Sequence, residues 1–158
     1  MVRLIPMTAT DFQAYLEEDT ERYAQERVRA GDWHPSEALQ KSREEHQQLL
    51  PDGLATRNHY LFSIEDEALG SNVGVIWFAI FDRQLQPVAF VYDFSIDEEF
   101  RRRGYGKQAL LTLEAKVKEL GIDRIALHVF AHNHVARVLY ENAGFEITGI
   151  YLAKKLTR

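Results

Sequence analysis

The sequence predicts an α+β domain in which a mixed, mostly antiparallel sheet is flanked by helices. In the first half of the chain, consecutive strand-like segments follow one another with short links, which is typical of antiparallel pairing. In the second half, a strand, a glycine-bearing turn and a helix lead to one more strand, and a helical crossover makes that strand parallel to the first. The 158 residues, 46% of them hydrophobic, suit one packed domain over residues 1–158.

The first half predicts two helices and four strands. Asp11 is a candidate cap for an amphipathic first helix, a glycine- and proline-bearing break follows at residues 31–35, and a more polar helix covers residues 36–50. Runs rich in Val, Ile, Phe and Tyr predict strands at residues 2–5, 60–65, 73–82 and 87–96, with turns at 66–72 and 82–85.

The second half predicts a helix between Gly106 and Gly121, because Leu and Val recur between these glycines at helical spacing. Alternating residues at 125–130 predict the strand parallel to residues 87–96. The last predicted elements are a helix that Asn133 caps and Gly144 ends, followed by two terminal strands within residues 145–156.

Composition and charge exclude several classes of protein. A net charge of −5 argues against general nucleic-acid binding, in which phosphate contacts dominate the affinity. With no cysteine, the chain has no disulfide framework, zinc–thiolate site or cysteine nucleophile. The longest apolar run, residues 73–81, is far below the ~20 residues that span a bilayer. We therefore expect a soluble cytoplasmic protein without a nucleic-acid or membrane partner.

The turn at residues 101–106, Arg-Arg-Arg-Gly-Tyr-Gly, predicts a site for a phosphate group. The first amides of a helix have no intrahelical acceptor, and glycine lets a ligand approach the backbone. The dinucleotide fingerprint does not fit, because Gly104 and Gly106 are followed by Ala109, and no Gly-Lys-Ser/Thr follows for a nucleotide-triphosphate loop. The competing interpretation of the arginines is a solvated basic cluster.

Two motifs in order resemble those of the GCN5-related N-acetyltransferases (GNAT). Arg101-x-x-Gly104-x-Gly106 is similar to the family's Gln/Arg-x-x-Gly-x-Gly/Ala signature. A second family run, Asn-x-x-Ala-x-x-Leu-Tyr-x-x-x-Gly-Phe, is matched by Asn133, Ala136, Leu139, Tyr140, Gly144 and Phe145. The resemblance covers about residues 86–147 and implies the GNAT fold, with acetyl-CoA as cosubstrate and no metal.

The resemblance also implies which residues bind coenzyme A. The pyrophosphate would lie in the turn, and the pantetheine arm would pair with the end of the strand at residues 94–96. The implied contacts are Phe94, Ser95, Ile96, Arg101, Arg102, Arg103, Gly104, Tyr105, Gly106, Lys107, Asn133, Ala136 and Tyr140. The pantetheine arm needs room, so we expect the strands bearing Ile96 and His128 to splay apart.

Acetyl transfer to an amine sets opposite demands on two side chains. An amine with a pKa of ~10.4 must lose a proton before it attacks, whereas the leaving thiolate gains from a donor. The resemblance assigns the donor role to Tyr140. For the base, His128 is the preferred candidate, Asp93 acting through water is the second, and a water wire without one essential base is the alternative.

Several questions stay open at this stage. A non-catalytic acyl-CoA-binding module is the alternative function. The acceptor, a small molecule or a peptide or protein amine, is not identified, and a homodimer is left open. Trp33 and His34 are candidates for the acceptor site, or equally for a loop packed at the edge of the core. His128, His132 and His134 need not converge, so no metal site is predicted.

Overall fold

The computed structural model describes residues 1–83 and 86–157, and in this part of the chain a five-stranded sheet carries four α-helices. The strands are β1 (Val2–Pro6), β2 (His59–Asp66), β3 (Ser71–Arg83), β4 (Gln86–Ile96) and β5 (Ile125–Leu127). The helices are α1 (Ala9–Arg29), α2 (Ala38–Leu49), α3 (Tyr105–Glu119) and α4 (His134–Asn142), with short 3-10 turns at Gly53–Ala55 and Glu98–Phe100.

The sheet is mixed, as predicted. Its order is β1-β2-β3-β4-β5; the first three pairs are antiparallel, and β5 runs parallel to β4 after the α3 crossover. All four strands predicted in the first half are present. The turn predicted at residues 82–85 is partly wrong, because β3 continues to Arg83, and residues 84 and 85 lie outside the described residues.

Helices cover both faces of the sheet. On one face, Leu113 and Val117 of α3 pack with Ile76 and Phe78 of β3, and all four side chains are almost fully buried. On the other face, Tyr15 of α1 packs in a second core that includes Trp77. Full burial of one such aliphatic or aromatic side chain is worth about 1.5–3 kcal/mol, so both layers stabilise the sheet between them.

A bulge in β4 reverses the faces of the residues that follow it. Trp77 pairs with Asp93 but the next residue, Phe78, pairs with Val91, which leaves Tyr92 as an extra residue on β4. Ala89 and Val91 belong to the core beneath α3. Without the bulge, the Asp93 side chain would lie on the same face as Ala89 and Val91. With the bulge, it lies on the opposite face and contacts α1.

Two boundary predictions are wrong. The cap of α1 is Thr8, whose Oγ1 accepts a hydrogen bond of 3.1 Å from the amide of Asp11, so Asp11 lies in the first turn rather than at the cap. Strand β5 ends at Leu127, three residues before its predicted end. Two other boundary predictions are confirmed, because Asn133 Oδ1 accepts from the Ala136 amide at 3.2 Å and Gly121 follows α3 with a φ of +82°.

The two terminal strands predicted within residues 145–156 are absent, and the described residues 145–157 form no ladder with the sheet. The physical reason is that strand residues need a partner for their N–H and C=O groups, whatever their intrinsic preference. Within the described parts of the chain, no helix combines the length and the apolar character that a membrane crossing requires.

Candidate active site

The turn between β4 and α3 is tied to the strand that precedes it. The Nε atom of Arg101 donates a hydrogen bond of 2.9 Å to the carbonyl oxygen of Ile96, the last residue of β4. Arg102 and Gly104 both have left-handed backbone, with φ of +63° and +82°. This conformation turns the chain sharply into the first turn of α3, whose leading amides have no intrahelical acceptor.

The two glycines of the motif have different structural roles. A Cβ added to Gly104 would meet nothing within 4 Å, so the backbone there faces open space. A Cβ added to Gly106 would lie 3.2 Å from Cδ2 of Leu139, so glycine is needed there to let α4 pack against the start of α3. The open backbone at Gly104 beside free helix amides fits a phosphate group.

The side chains around the turn differ in their availability. Arg102 and Lys107 are exposed, while the Arg103 guanidinium lies 5.8 Å from the centre of the Phe100 ring. Tyr105 is buried, and its hydroxyl donates a hydrogen bond to Asp66. Of the residues predicted to contact coenzyme A, Tyr105 can therefore offer only its backbone amide.

Strands β4 and β5 diverge, as predicted. Their ladder runs from Ala89 paired with Ile125 to Val91 paired with Leu127 and ends there, five residues before Ile96. On the other side of β4, Ile96 pairs with Gly74, where an added Cβ would lie 2.2 Å from the Ser95 carbonyl oxygen. The end of β4 is thus pressed against β3, and beyond Val91 its opposite edge has no ladder partner among the described residues.

The bulge brings Asp93 into a network of charged side chains from α1 and α2. Oδ2 of Asp93 accepts hydrogen bonds from the Tyr15 hydroxyl at 2.7 Å and from Nη2 of Arg22 at 2.8 Å. The same Arg22 nitrogen lies 2.6 Å from Oδ1 of Asp19. Nε2 of His46 lies 2.8 Å from the other Asp19 oxygen, so the network runs from His46 to Tyr15.

Burial and neighbouring charges set the protonation states in this network. Burial, reinforced by the negative charge of Asp19, raises the pKa of Asp93 to about 7, although Arg22 acts in the opposite direction. Burial would also raise the pKa of Asp19, but the hydrogen bond from His46 and the charge of Arg22 outweigh it and lower that pKa. For His46, burial acts to lower the pKa, and the bond to Asp19 raises it overall.

Tyr140 lies on α4 close to this carboxylate. Its ring meets the Phe94 ring edge-on with centroids 6.3 Å apart and the Phe145 ring at 5.5 Å. Burial, with a contribution from the negative charge of Asp93, raises the pKa of Tyr140 to about 12. The structure therefore places Tyr140 in ring contact with Phe94 and within the electrostatic influence of Asp93, beyond the point where the β4–β5 ladder ends.

His128 lies apart from that group. It is exposed, directly after the end of β5, and its ring meets the Phe130 ring at 5.0 Å, which in turn stacks on His132 at 5.5 Å. Among the described contacts, none joins His128 to Asp93 or Tyr140. No group of three or more His, Cys, Asp or Glu side chains suited to a metal ion occurs in residues 1–83 and 86–157.

Trp33 and His34 are held in the connection between α1 and α2. The Trp33 ring meets Tyr23 edge-on at 5.7 Å and lies under the Arg27 guanidinium at 5.0 Å. Nδ1 of His34 lies 2.7 Å from Oγ of Ser36. These contacts explain both residues by local packing, while their place in an acceptor site stays a prediction.

The partners of Asp93 on α1 were not predicted from the sequence. Tyr15, Asp19 and Arg22 are spaced so that they share one face of a helix, and that face is the buried one. A carboxylate and an arginine on the buried side of an amphipathic helix are costly unless they are paired. That placement is the signal by which the sequence could have indicated the network.

Comparisons with known proteins decide the family. The model of the acetyltransferase (GNAT) family matches residues 13–145. The chain belongs to the GNAT acetyltransferase family. It is 41% identical to the uncharacterized N-acetyltransferase YycN of Bacillus subtilis over 155 residues, covering 98% of this chain and 99% of YycN. It is also 35% identical to the N-acetyltransferase YdgE of the same organism, with 95% of each chain covered.

Solved structures agree with this GNAT assignment. The crystal structure of a putative acetyltransferase, YycN of B. subtilis, superposes with a TM-score of 0.95 at 40% identity and covers 100% of both chains. A predicted acetyltransferase from Clostridium acetobutylicum, solved with acetyl-CoA, shares the fold at 16% identity with a TM-score of 0.65, covering 98% of this chain and 96% of that one. The chain is thus an N-acetyltransferase with the GNAT fold.

Proposed function

We propose that this GNAT enzyme transfers the acetyl group of acetyl-CoA to a primary amine by direct attack of the amine on the thioester, with Asp93 as base and Tyr140 as donor. The observation that carries the proposal is their juxtaposition where β4 and β5 separate. There, Asp93 has a pKa of about 7 and a side chain that is 16% exposed, and Tyr140 has a pKa of about 12.

Acetyl-CoA, the cosubstrate, supplies the activated acetyl thioester. The amides of the first turn of α3 and the open backbone at Gly104 would hold its pyrophosphate, with Arg102 and Lys107 near enough in the chain to add positive charge. The free edge of residues 94–96 would receive the pantetheine arm. Gly74 supports this arrangement because it keeps the end of β4 tight against β3.

The base must accept a proton from the attacking amine. An ordinary aspartate, with a pKa of ~3.9, is a weak base near neutrality, whereas a pKa of about 7 suits general base catalysis there. Tyr15 and Arg22 both bond to Oδ2, so they fix the orientation of the carboxylate. His128 is the second candidate, but its exposed position among Phe130 and His132 gives it no comparable link to Tyr140.

Tyr140 would act on the leaving sulfur. A phenol with a pKa of about 12 is fully protonated at neutral pH, yet it is a weaker acid than a thiol, whose pKa is ~8.5. Tyr140 therefore stabilises the departing thiolate chiefly by donating a hydrogen bond. In the overall step a C–N bond forms and the C–S bond breaks, the amine proton passes to Asp93 directly or through water, and the thiolate leaves.

Thiol release from acetyl-CoA over a panel of amines tests the proposal, with an acceptor whose own pKa lies well away from 7 used for the pH profile. For the wild type we expect kcat/KM to rise with pH through about 7. Asp93→Asn should abolish that rise and His128→Ala should keep it; the reverse pattern would transfer the base role to His128. If neither variant alters the rise of kcat/KM with pH, a water wire takes the role of base in place of both side chains.

Tyr140→Phe should lower kcat about 10- to 100-fold with little change in the KM for acetyl-CoA, because the ring keeps its contacts with Phe94 and Phe145 and only the donor is lost. A fully active Tyr140→Phe enzyme would end the donor assignment. Stabilisation by acetyl-CoA without thiol release from any amine would instead favour a non-catalytic acyl-CoA-binding module.

A further inference from the structure

A buried histidine and a buried aspartate lie behind the proposed base, and the proposed mechanism uses neither of them. His46 of α2 and Asp19 of α1 face each other between the two helices, with side chains that are only 7% and 9% exposed. Nε2 of His46 lies 2.8 Å from Oδ2 of Asp19. Burial of two ionisable groups costs free energy that apolar residues of similar volume would not, so the pair requires an explanation.

The hydrogen bonds of His46 show which ring nitrogens carry protons. Nδ1 lies 2.8 Å from the carbonyl oxygen of Ser42, an atom that can only accept, so Nδ1 is protonated. Nε2 faces the Asp19 carboxylate, which is ionised because Nη2 of Arg22 donates to its other oxygen at 2.6 Å. Both ring nitrogens therefore donate, and His46 is a buried imidazolium ion. Burial acts to lower the pKa of His46, but the bond to Asp19 raises it overall, in agreement with this assignment.

One nitrogen of Arg22 serves two carboxylates. Nη2 donates to Oδ1 of Asp19 at 2.6 Å and to Oδ2 of Asp93 at 2.8 Å, so both of its protons are used. The two carboxylate oxygens are consequently within about 6 Å of each other, a range in which one negative charge strongly disfavours another. Asp19 and Asp93 therefore compete for Arg22 unless Asp19 has a cation of its own.

The charge on His46 decides that competition. With His46 charged, two cations face two carboxylates, and the cluster is neutral when Asp93 is ionised. With His46 neutral, Arg22 would be shared by both carboxylates, and ionised Asp93 would leave an uncompensated negative charge in a buried place. Because such a charge is costly, the imidazolium favours the ionised form of Asp93, which is the form that accepts a proton.

The surroundings of the pair keep the imidazolium in place. The His46 ring lies between the Tyr23 ring of α1 and the Trp77 ring of β3, each with its centroid 5.8 Å away. Burial raises the pKa of Tyr23, so that phenol is neutral, and Glu45 on the same helix as His46 adds a negative charge that favours the imidazolium. Among the described residues, the titratable groups that face Asp93 are Tyr15, Asp19, Arg22 and Tyr140, and those that face His46 are Asp19, Tyr23 and Glu45.

We propose that His46 and Asp19 are positioning residues for the base: the His46 imidazolium holds the Asp19 carboxylate, which leaves Arg22 to hold Asp93 in its ionised form near neutral pH. This inference rests on the proposed role of Asp93 and extends it to a pair of side chains on α1 and α2. Two effects of opposite sign follow. Loss of the His46 charge should make Asp93 keep its proton to a higher pH, and loss of the Asp19 charge should let it release the proton at a lower pH.

Infrared spectroscopy measures the protonation of Asp93 without any turnover. A protonated carboxyl group absorbs apart from a carboxylate, and the protonated-carboxyl band that is lost in Asp93→Asn belongs to Asp93. His46→Gln removes the charge but keeps an amide donor for Asp19, and it should raise the pH midpoint of that band by about one unit. Asp19→Asn should lower the midpoint by about one unit or more.

His59→Gln is the matched control. His59 is a half-buried histidine whose Nδ1 accepts a hydrogen bond of 3.1 Å from Nε1 of Trp77. Burial lowers its pKa, so the ring is neutral and its loss removes no charge. The infrared midpoint of Asp93 should therefore stay where it is in this variant.

A double variant, His46→Gln with Asp19→Asn, covers the case in which His46→Gln does not fold. Removal of both charges avoids leaving one of them buried alone. Its midpoint should match that of Asp19→Asn, because a buried histidine without its carboxylate is neutral and contributes no charge in either variant. Circular dichroism and melting curves establish that each variant is folded before it is titrated. If His46→Gln unfolds, a lowered midpoint in Asp19→Asn and an equal one in the double variant uphold the proposal.

Midpoints that move in opposite directions in His46→Gln and Asp19→Asn uphold the proposal as well. An unmoved midpoint in either variant, or movement in the same direction in both, would overturn it, because a purely structural pair alters stability and not the proton affinity of Asp93. A wild type without a band that Asp93→Asn removes would also overturn it.

The kcat/KM profile against an amine separates this inference from the proposed base. If the infrared midpoints move as expected but the rise of kcat/KM with pH does not follow them, the effect of the pair on Asp93 stands and the role of Asp93 as base falls. If Asp93→Asn abolishes the rise while the infrared midpoints stay in place in His46→Gln and Asp19→Asn, the base stands and the positioning role of the pair falls.

Discussion

The pH dependence of stability should report the burial of Asp93, and Asp93→Asn isolates it. The pKa of this carboxyl is about 7 in the folded protein, against ~3.9 in an unfolded chain. Between these values the folded state binds a proton that the unfolded state has released. The stabilisation from this proton is fully present below pH ~4 and is lost as the pH rises through about 7.

The size of the effect follows from the two pKa values. Each pH unit in which only the folded state binds the proton is worth about 1.4 kcal/mol. From pH 5 to pH 8 the wild type should therefore lose about 3 kcal/mol through Asp93, somewhat less if the structure relaxes around the charge. The asparagine variant has no proton to lose, so its free energy of unfolding, relative to the wild type, should rise by about 2–3 kcal/mol over that range.

Urea unfolding at pH 5, 6, 7 and 8 measures this difference. His46 titrates in both proteins, so its contribution largely cancels in the comparison. Tyr15→Phe is the control, because it keeps the carboxyl and removes a hydrogen bond that lowers the Asp93 pKa, so it should steepen the loss of stability above pH 7. Parallel pH curves for wild type and Asp93→Asn would show that the carboxyl is ionised throughout and would remove the basis for its role as base.

Two further predictions concern the glycines beside the proposed acetyl-CoA site. Gly104→Val should destabilise the free protein by roughly 1–2 kcal/mol, since a β-branched residue is strained at a φ of +82°, and should abolish the rise in melting temperature on adding acetyl-CoA. Asparagine tolerates that φ, so Gly104→Asn separates backbone strain from exclusion of the ligand. A normal rise in melting temperature with this variant would contradict the proposed pyrophosphate site at Gly104. Gly74→Ala should destabilise the protein by about 1–3 kcal/mol and raise the KM for acetyl-CoA, because its Cβ would lie 2.2 Å from the Ser95 carbonyl oxygen. An unchanged KM would show that the packing of β4 against β3 does not affect acetyl-CoA binding.

The sheet, the crossover and the glycine turn were predictable because each depends on local signals. Alternating apolar residues, Gly104 and Gly121 report the backbone conformation of their own segments. The Asp93 network depends instead on contacts 71 and 78 residues apart in the sequence, from Arg22 and Tyr15. Nothing local indicates the bulge at Tyr92, yet that single extra residue decides which face Asp93 occupies.

The segment after α4, residues 145–157, illustrates the opposite error. Its residues favour strands, and the prediction of two terminal strands followed from that preference alone. The structure places these residues in solvent because a strand forms only where a neighbour accepts its hydrogen bonds. Sequence preference can therefore indicate that a segment is able to pair, while the partner, within the chain or in another copy, is decided by geometry that the segment does not contain.

Burial acts on the two proposed catalytic groups in the same direction but with opposite consequences for the reaction. It raises the pKa of Asp93 to about 7, which makes an ordinarily weak base useful near neutral pH. It also raises the pKa of Tyr140 to about 12, which makes the phenol a poorer acid. The site should therefore depend more on removing the amine proton than on protonating the thiolate. It follows that Asp93→Asn should cost more activity than Tyr140→Phe with a protonated acceptor, and that the difference should shrink with an acceptor amine that is already neutral.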